Sequence, residues 1–245
     1  MMPVKAETCT APEKKRSALR TLLHRLAVAL EFLRRPGRFS MIHYPRNEAL
    51  ERLRQNRKMK VLDLGCGSRH LSDHVVGVDL VPERGVQVLA DAAYLPFRDA
   101  SCGGVWADAL LEHVEDPEKI LLEVRRVLKS KGWFYCEVPF LQGEHLAPGD
   151  YRRWTRAGLL QLFKNWDLEW VTPSSGPFSA LAYQSRVCLS IMTSFGSDKL
   201  YRLLFEALWG YFVWPLKWLD ICFAGNGRSQ SHAFGYAVMA SKKGA

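Results

Sequence analysis

The chain has 245 residues, 48% of them hydrophobic, enough for one sizeable core with additions but short for two full domains. Its formal net charge is +9, with 15 Lys and Arg against 5 Asp and Glu in residues 1–60 and 19 against 20 in the remainder, so the whole excess is N-terminal. A localised basic arm suits RNA, DNA or an anionic membrane without choosing among them, and a nearly neutral body disfavours a long polynucleotide substrate.

The six cysteines, Cys9, Cys66, Cys102, Cys136, Cys188 and Cys222, form no C-x-x-C pair. That pattern suits a reduced, cytoplasmic setting and gives no expectation of a metal site or a disulfide framework. Residues 1–12 lack the uninterrupted apolar core of a secretory signal. Residues 17–35 are basic and amphipathic, as a mitochondrial presequence would be, but Glu7, Glu13 and Glu31 argue against one.

In chain order, residues 1–16 read as a charged leader. Ser17 then caps a predicted helix whose apolar face is Leu19, Leu22, Leu23, Leu26, Leu30 and Leu33, ended by Pro36-Gly37. This helix either packs on the domain or lies on a membrane surface. From Lys60 the pattern changes to short apolar runs, Val61–Leu64 and Val75–Asp79, followed by predicted strands at 86–89, 104–107, 133–138, 168–172 and 233–240. Helices are predicted between them from Pro117, capped by Asp116 and closed by Gly132, and at Thr155–Phe163. Strands separated by helical crossovers predict an α/β fold. It is a Rossmann-like, doubly wound, mostly parallel seven-stranded sheet with helices on both faces, carrying an N-terminal helical extension (1–59) before the domain (60–245) and a helical, aromatic-rich insertion at 173–232 ahead of the last strand.

The chemistry is carried by the carboxyl ends of the first two strands. Asp63-Leu64-Gly65-Cys66-Gly67 ends the first in a turn where glycines let the backbone approach a ligand, and Asp79 ends the second, where a carboxylate can accept from both hydroxyls of a ribose. Further pieces follow in order: Ala90-Asp91-Ala92 with Leu95-Pro96-Phe97, Leu111-Glu112-His113-Val114, and Arg126-Val127-Leu128. Over residues 60–140 this series resembles the class I S-adenosylmethionine-dependent methyltransferases, in particular the type 11-like domain. The resemblance implies S-adenosyl-L-methionine as cofactor, with the Gly65-Cys66-Gly67 turn under its methionine part, Asp79 and Leu80 at the ribose, Asp91 and Ala92 at the adenine, and Asp63 and Asp108 completing the cradle.

Two positions depart from the family pattern: Arg69 stands where many members have a third glycine, and Gly104 where an Asp commonly precedes the fourth strand. The stretch Ser68–Asp73 is too short for the helix usual there. A phosphate-free cofactor does not need that helix end, whereas a dinucleotide would want one. A second stretch, His145, Pro148, Asp150, Tyr151, Arg153, Trp154 and Thr155, resembles an H-x-x-P-x-D-Y-x-R-[FW]-T segment of a bacterial-type branch of the family, over the carboxyl edge of the sheet. His113, His145 and Tyr151 are the candidate catalytic residues, a histidine serving as base if the acceptor is a hydroxyl. Plainer readings stand beside these: Asp91 as a turn residue, His113 as a packing residue, and Asp150 paired with Arg153 while Thr155 caps a helix.

The segment 203–225 is rich in aromatics but broken by Glu206, Pro215, Lys217 and Asp220, so it does not read as a bilayer span. It reads as an interfacial element which, with residues 17–35, would hold the enzyme at an anionic membrane, or else as a segment whose aromatics are buried in a cap over the site or in a dimer contact. The expected acceptor is a small molecule, a lipid, or a lipid- or glycan-linked group. An inert methyltransferase-like binding module and an RNA methyltransferase guided by the basic arm are the alternative classes.

Overall fold

The computed structural model describes residues 44–55, 57–145, 149–223 and 225–243, so the amphipathic helix expected over 17–35 lies outside the described residues. Ser40–Ser185 with Pro215–Ala245 form the unit that holds the sheet, and Arg186–Trp214 belong to a second unit.

Seven strands, β1 (Val61–Leu64), β2 (Val75–Asp79), β3 (Val88–Leu89), β4 (Cys102–Asp108), β5 (Leu128–Pro139), β6 (Asp167–Ser175) and β7 (Gly235–Ser241), pair in the order β3-β2-β1-β4-β5-β7-β6. All ladders are parallel except those of β7, which runs antiparallel to both neighbours. β1 is buried along its whole length because it is central, paired to β2 through Leu64↔Val78 and to β4 through Leu64↔Ala107. The apolar run without alternation is what a strand covered on both faces requires. The chain reverses its direction of winding between β1 and β4. The carboxyl ends of these strands therefore border the crevice where ligands bind in open sheets of this kind.

One face is covered by α2 (Pro117–Val127), which Asp116 caps by accepting from the Lys119 amide at 3.1 Å, and by α3 (Arg156–Leu162), capped by Thr155. Ile120, Val124, Val127, Leu159 and Phe163 bury there against Val105, Phe134 and Val238. The other face takes α1 (Tyr44–Gln55), whose Ala49 and Leu53 pack on Val61, Val75, Trp106, Trp133 and Met239. Arg52 clamps Glu169 of β6 through two bonds of 2.7 and 2.6 Å, and Trp170 donates to Glu48. The core of the sheet thus takes in a helix upstream of residue 60, where the sequence pattern placed the start of the domain. Its apolar face is short, so polar α1 reads as surface until its tertiary partners are known.

Between β1 and β2 the chain makes turns and no helix, as the short spacing required. After β6 come α4 (Pro177–Ser194), α5 (Asp198–Leu203), a π turn (Leu204–Leu208), α6 (Trp209–Val213), a 3₁₀ turn (Trp214–Trp218), α7 (Leu219–Phe223) and α8 (Gly227–Ser231). The 203–225 stretch is therefore several short helical pieces, and among the described residues no helix is long and apolar enough to cross a membrane. One of its polar residues has structural work. Asp220 is buried and accepts from the amides of Phe178 and Ser179 and the Ser179 hydroxyl, closing the amino end of α4.

The glycine at 104 has a packing explanation, because a Cβ there would lie 2.2 Å from the Trp133 indole of the neighbouring strand. Gly104→Ala should destabilise the protein by about 1–3 kcal/mol in denaturant melts through overpacking, and a simultaneous Trp133→Leu should recover much of that loss. Equal losses with and without Trp133 would show that the indole is not the obstacle.

Candidate functional site

The site is built where β1, β2, β4 and β5 end. Gly65 and Gly67 have φ of +64° and +50°, values that only glycine adopts without strain, and the turn is held by the Gly65 amide donating to Val78 at 2.9 Å. The Gly67 amide donates to Asp79 Oδ2 at 2.8 Å, and the Val81 amide to Oδ1 at 3.1 Å. Asp79 is thus fixed at the end of β2 with a second lone pair on each oxygen still free by valence for a hydroxyl. Leu80 beside it is largely exposed. Asp91 accepts from the Ala93 amide at 2.8 Å, so its turn role is real, while Ala92 is buried next to it. Cys66 is buried, and burial pushes its thiol up to about 11, which makes it a packing residue at neutral pH.

Asp63 and Asp108 belong to a charge network that the linear motifs did not announce. Arg69 donates to both oxygens of the buried Asp63, at 2.9 and 2.7 Å, and reaches Asp108 at 3.2 Å. Arg46 of α1 donates to the same Asp108 oxygen at 2.9 Å and lies 3.4 Å from Glu137 of β5, which also accepts from the Tyr135 hydroxyl. Burial raises the carboxyl of Asp63 despite its Arg69 partner, and pushes that of Glu137 up to about 7 with Asp108 adding to the effect. Arg69, the departure from the glycine pattern, is therefore the counterion that lets Asp63 be buried. Arg46 and Glu137 were missed from sequence. A lone acid inside the apolar run Trp133–Val138 was the available signal for Glu137, and α1 carried none for Arg46.

Beyond β4 the chain turns at Ala109, a non-glycine residue at φ +56°, and enters a 3₁₀ turn at Leu111–His113. Glu112 is buried, and its Oε2 has no hydrogen-bond partner. Burial pushes its carboxyl up to about 7. The loop after β5 folds over this turn. The Tyr151 amide donates to the Glu112 carbonyl at 2.8 Å, and the Gly149 carbonyl lies 2.5 Å from His113 Nδ1, which places the proton on Nδ1 and the lone pair on Nε2. His113 and His145 meet edge to face with ring centroids 5.0 Å apart. Tyr151 is exposed and donates to Glu115 at 3.2 Å rather than to either histidine. Asp150 and Arg153 do pair through both carboxylate oxygens, which holds the Asp150 carboxyl well below its usual range, and Thr155 does cap α3.

Two cavities adjoin here. One of about 130 Å³ is lined by Asp108, Glu112, Glu137, Gln142, Ser174 and Gly235. It is below the ~300 Å³ of a complete ligand site, so it suits one end of a substrate. The other, of about 500 Å³, is mostly apolar, lined by Phe140, Leu141, Pro177, Ala180 and Leu181, and shares Gln142 with the first.

The raised acids give a pH dependence. Glu137 binds its proton more tightly in the folded protein than at its ordinary 4.5, so its contribution to stability is complete below about 4.5 and is lost as the pH rises towards 7. Glu112 acts in the same window, whereas the depressed Asp150 acts only in acid. Melting midpoints should therefore be higher at pH 5.5 than at pH 8. Glu137→Gln should remove part of the difference, on the order of 1–3 kcal/mol. An unchanged slope in that variant would refute the assignment.

Comparison with known proteins agrees with this geometry. Residues 62–136 match the family model described as a methyltransferase domain. No curated protein matches the sequence. Among solved structures, the chain is similar to the [4+2]-cyclase SpnF, at 17% identity and a TM-score of 0.50, over 85% of this chain and 84% of that one. It is also similar to a protein described as a sarcosine dimethylglycine methyltransferase from Galdieria sulphuraria, at 16% identity and a TM-score of 0.50, over 80% of this chain and 84% of that one. At such identities the likeness to solved structures shows the fold, and the family model matches the segment 62–136. The segment 62–136 thus carries the pattern of a methyltransferase domain on a sheet of the fold those structures share.

Proposed function

We propose that the chain methylates a small molecule or a lipid-linked acceptor whose reacting end enters the polar cleft beside Glu112 and whose body lies along the apolar groove of Phe140, Leu181 and Ala180. The observation that supports this reading is that the two cavities share Gln142 as a lining residue, next to the carboxyl ends of β4 and β5.

The residues fit the family's cofactor. The turn of Gly65 and Gly67 admits close approach of a ligand to the backbone, and Asp79 offers acceptors to a ribose. The network of Asp63, Asp108, Glu137, Arg46 and Arg69 offers both signs of charge to an amino-acid end. With all five ionised, it carries three negative and two positive charges, a net −1 that complements a cationic sulfonium ligand. S-adenosylmethionine supplies an activated methyl group when bound. The protein's share is alignment: Ala109, Glu112 and Gln142 bound the acceptor side, and the Nδ1 bond from His113 to the Gly149 carbonyl fixes that ring next to Glu112.

A membrane-surface location is a further part of this reading, supported by exposed Phe195, Leu203, Phe212 and Trp218. Buried Lys217 and Asp220 are not available to face lipid head groups. Co-sedimentation of the full chain with anionic vesicles at low salt should retain it, and full recovery in the supernatant would remove the membrane from the account.

Calorimetry tests the cofactor site. S-adenosylmethionine and S-adenosylhomocysteine should bind and NAD should not, with Asp79→Ala weakening both adenosyl ligands at least tenfold. Unchanged affinity in that variant, or binding of NAD alone, would overturn the assignment.

A further inference from the structure

The turn after β4 and the loop after β5 bring together a donor set that no linear spacing announces. Glu112, His113 and His145 each present a ligand atom, and these atoms all lie within 4.8 Å of one another. Glu112 Oε1 is 3.9 Å from His113 Nε2. Donors around a tetrahedral ion at ~2.0–2.1 Å are about 3.4 Å apart, so small side-chain rotations would close the set onto one ion.

Two independent features point to a cation rather than to a packed acid beside two histidines. The first is Glu112 itself, 1% exposed with Oε2 lacking any hydrogen-bond partner. An unpartnered buried carboxylate oxygen is costly, and a bound cation would satisfy it. The second is the orientation of both rings. His113 Nδ1 is committed to the Gly149 carbonyl at 2.5 Å, and His145 Nδ1 faces the Gly143 carbonyl at 3.3 Å and Asp150 Oδ2 at 3.4 Å. Each imidazole is thus anchored through Nδ1 by an oxygen acceptor, leaving Nε2 as the donor, which is how metal-ligating histidines are held. Asp150 is in turn fixed by Arg153 through both its oxygens.

We propose that Glu112, His113 and His145 form a site for a borderline divalent transition cation of the Zn²⁺ class. Two imidazoles and one carboxylate select Zn²⁺, Fe²⁺, Co²⁺ or Ni²⁺ over Mg²⁺, and three protein donors leave at least one position for water or a substrate oxygen. Because Glu112 also lines the polar cleft, such a position would fall on the acceptor side of the site. The cation site itself does not depend on the acceptor assigned above.

The test is calorimetric titration of the full chain, stripped with chelator, with Zn²⁺ at neutral pH, and with Co²⁺ followed by visible absorption. The expected result is a single site of micromolar affinity or tighter, undiminished by excess Mg²⁺. Affinity should fall at least tenfold in Glu112→Gln and in His145→Ala, and less in His145→Asp, which keeps an oxygen donor. His232→Ala, outside the set, should bind as the parent does. Absence of binding, binding displaced by Mg²⁺, or Zn²⁺ affinity that survives Glu112→Gln and His145→Ala would overturn the proposal. Retained binding of S-adenosylhomocysteine in the variants checks that each is folded and separates this result from the fate of the cofactor reading.

Discussion

The pairing of buried carboxylates with two guanidiniums at the carboxyl edge of the sheet is the constraint on which the rest of the site depends. Asp63 lies in β1, a strand buried along its whole length, and an isolated carboxylate there would cost several kcal/mol. Arg69 removes that cost through a two-point ion pair, and its third contact, to Asp108, ties β1 to β4 across the crevice. Arg46 extends the chain of charges to Glu137 and so recruits α1. The position of α1 on the sheet, the absence of a helix between β1 and β2 and the depth of the crevice are parts of one arrangement. Arg69 needs the loop that a helix would otherwise occupy.

That arrangement also explains what could be read in the sequence. Strands covered on both faces leave continuous apolar runs, and the turn at Gly65–Gly67 and the acid at Asp79 follow local rules, so β1, β2, β4, β5, that turn and the place of Asp79 at the end of β2 were legible. So was the loop chemistry at Thr155, Asp150 and Arg153, in its plainer form. Arg46 was not, because α1 owes its place to partners far away in the chain, at Trp106, Glu137 and Glu169. The environment of Glu112 was hidden for the same reason: its neighbours arrive with a loop some thirty residues later. Tyr151 follows the family pattern in sequence, yet its hydroxyl is engaged by Glu115.

The scaffold does not choose the reaction on its own. A [4+2]-cyclase and a protein described as a sarcosine dimethylglycine methyltransferase are similar to this chain to the same degree, so the fold alone names no reaction. In the proposed reading the acceptor side takes in the turn at Ala109–His113, Gln142 and the start of α4. Asp220 fixes the end of α4, so the apolar groove is shaped by a buried polar contact within the insertion. On that reading the polar cleft of Glu112 and the apolar groove, both bordered by Gln142, suit an acceptor with one polar reacting end and a larger apolar body.

The most direct measurement of this account is a crystal structure of the chain with S-adenosylhomocysteine. The account predicts the amino-acid end of the ligand among Asp63, Arg69, Asp108 and Arg46, the ribose hydroxyls on Asp79, and the sulfur directed towards the cleft beside Glu112. A ligand bound away from the Gly65–Gly67 turn, or one whose amino-acid end avoids the charge network, would contradict it.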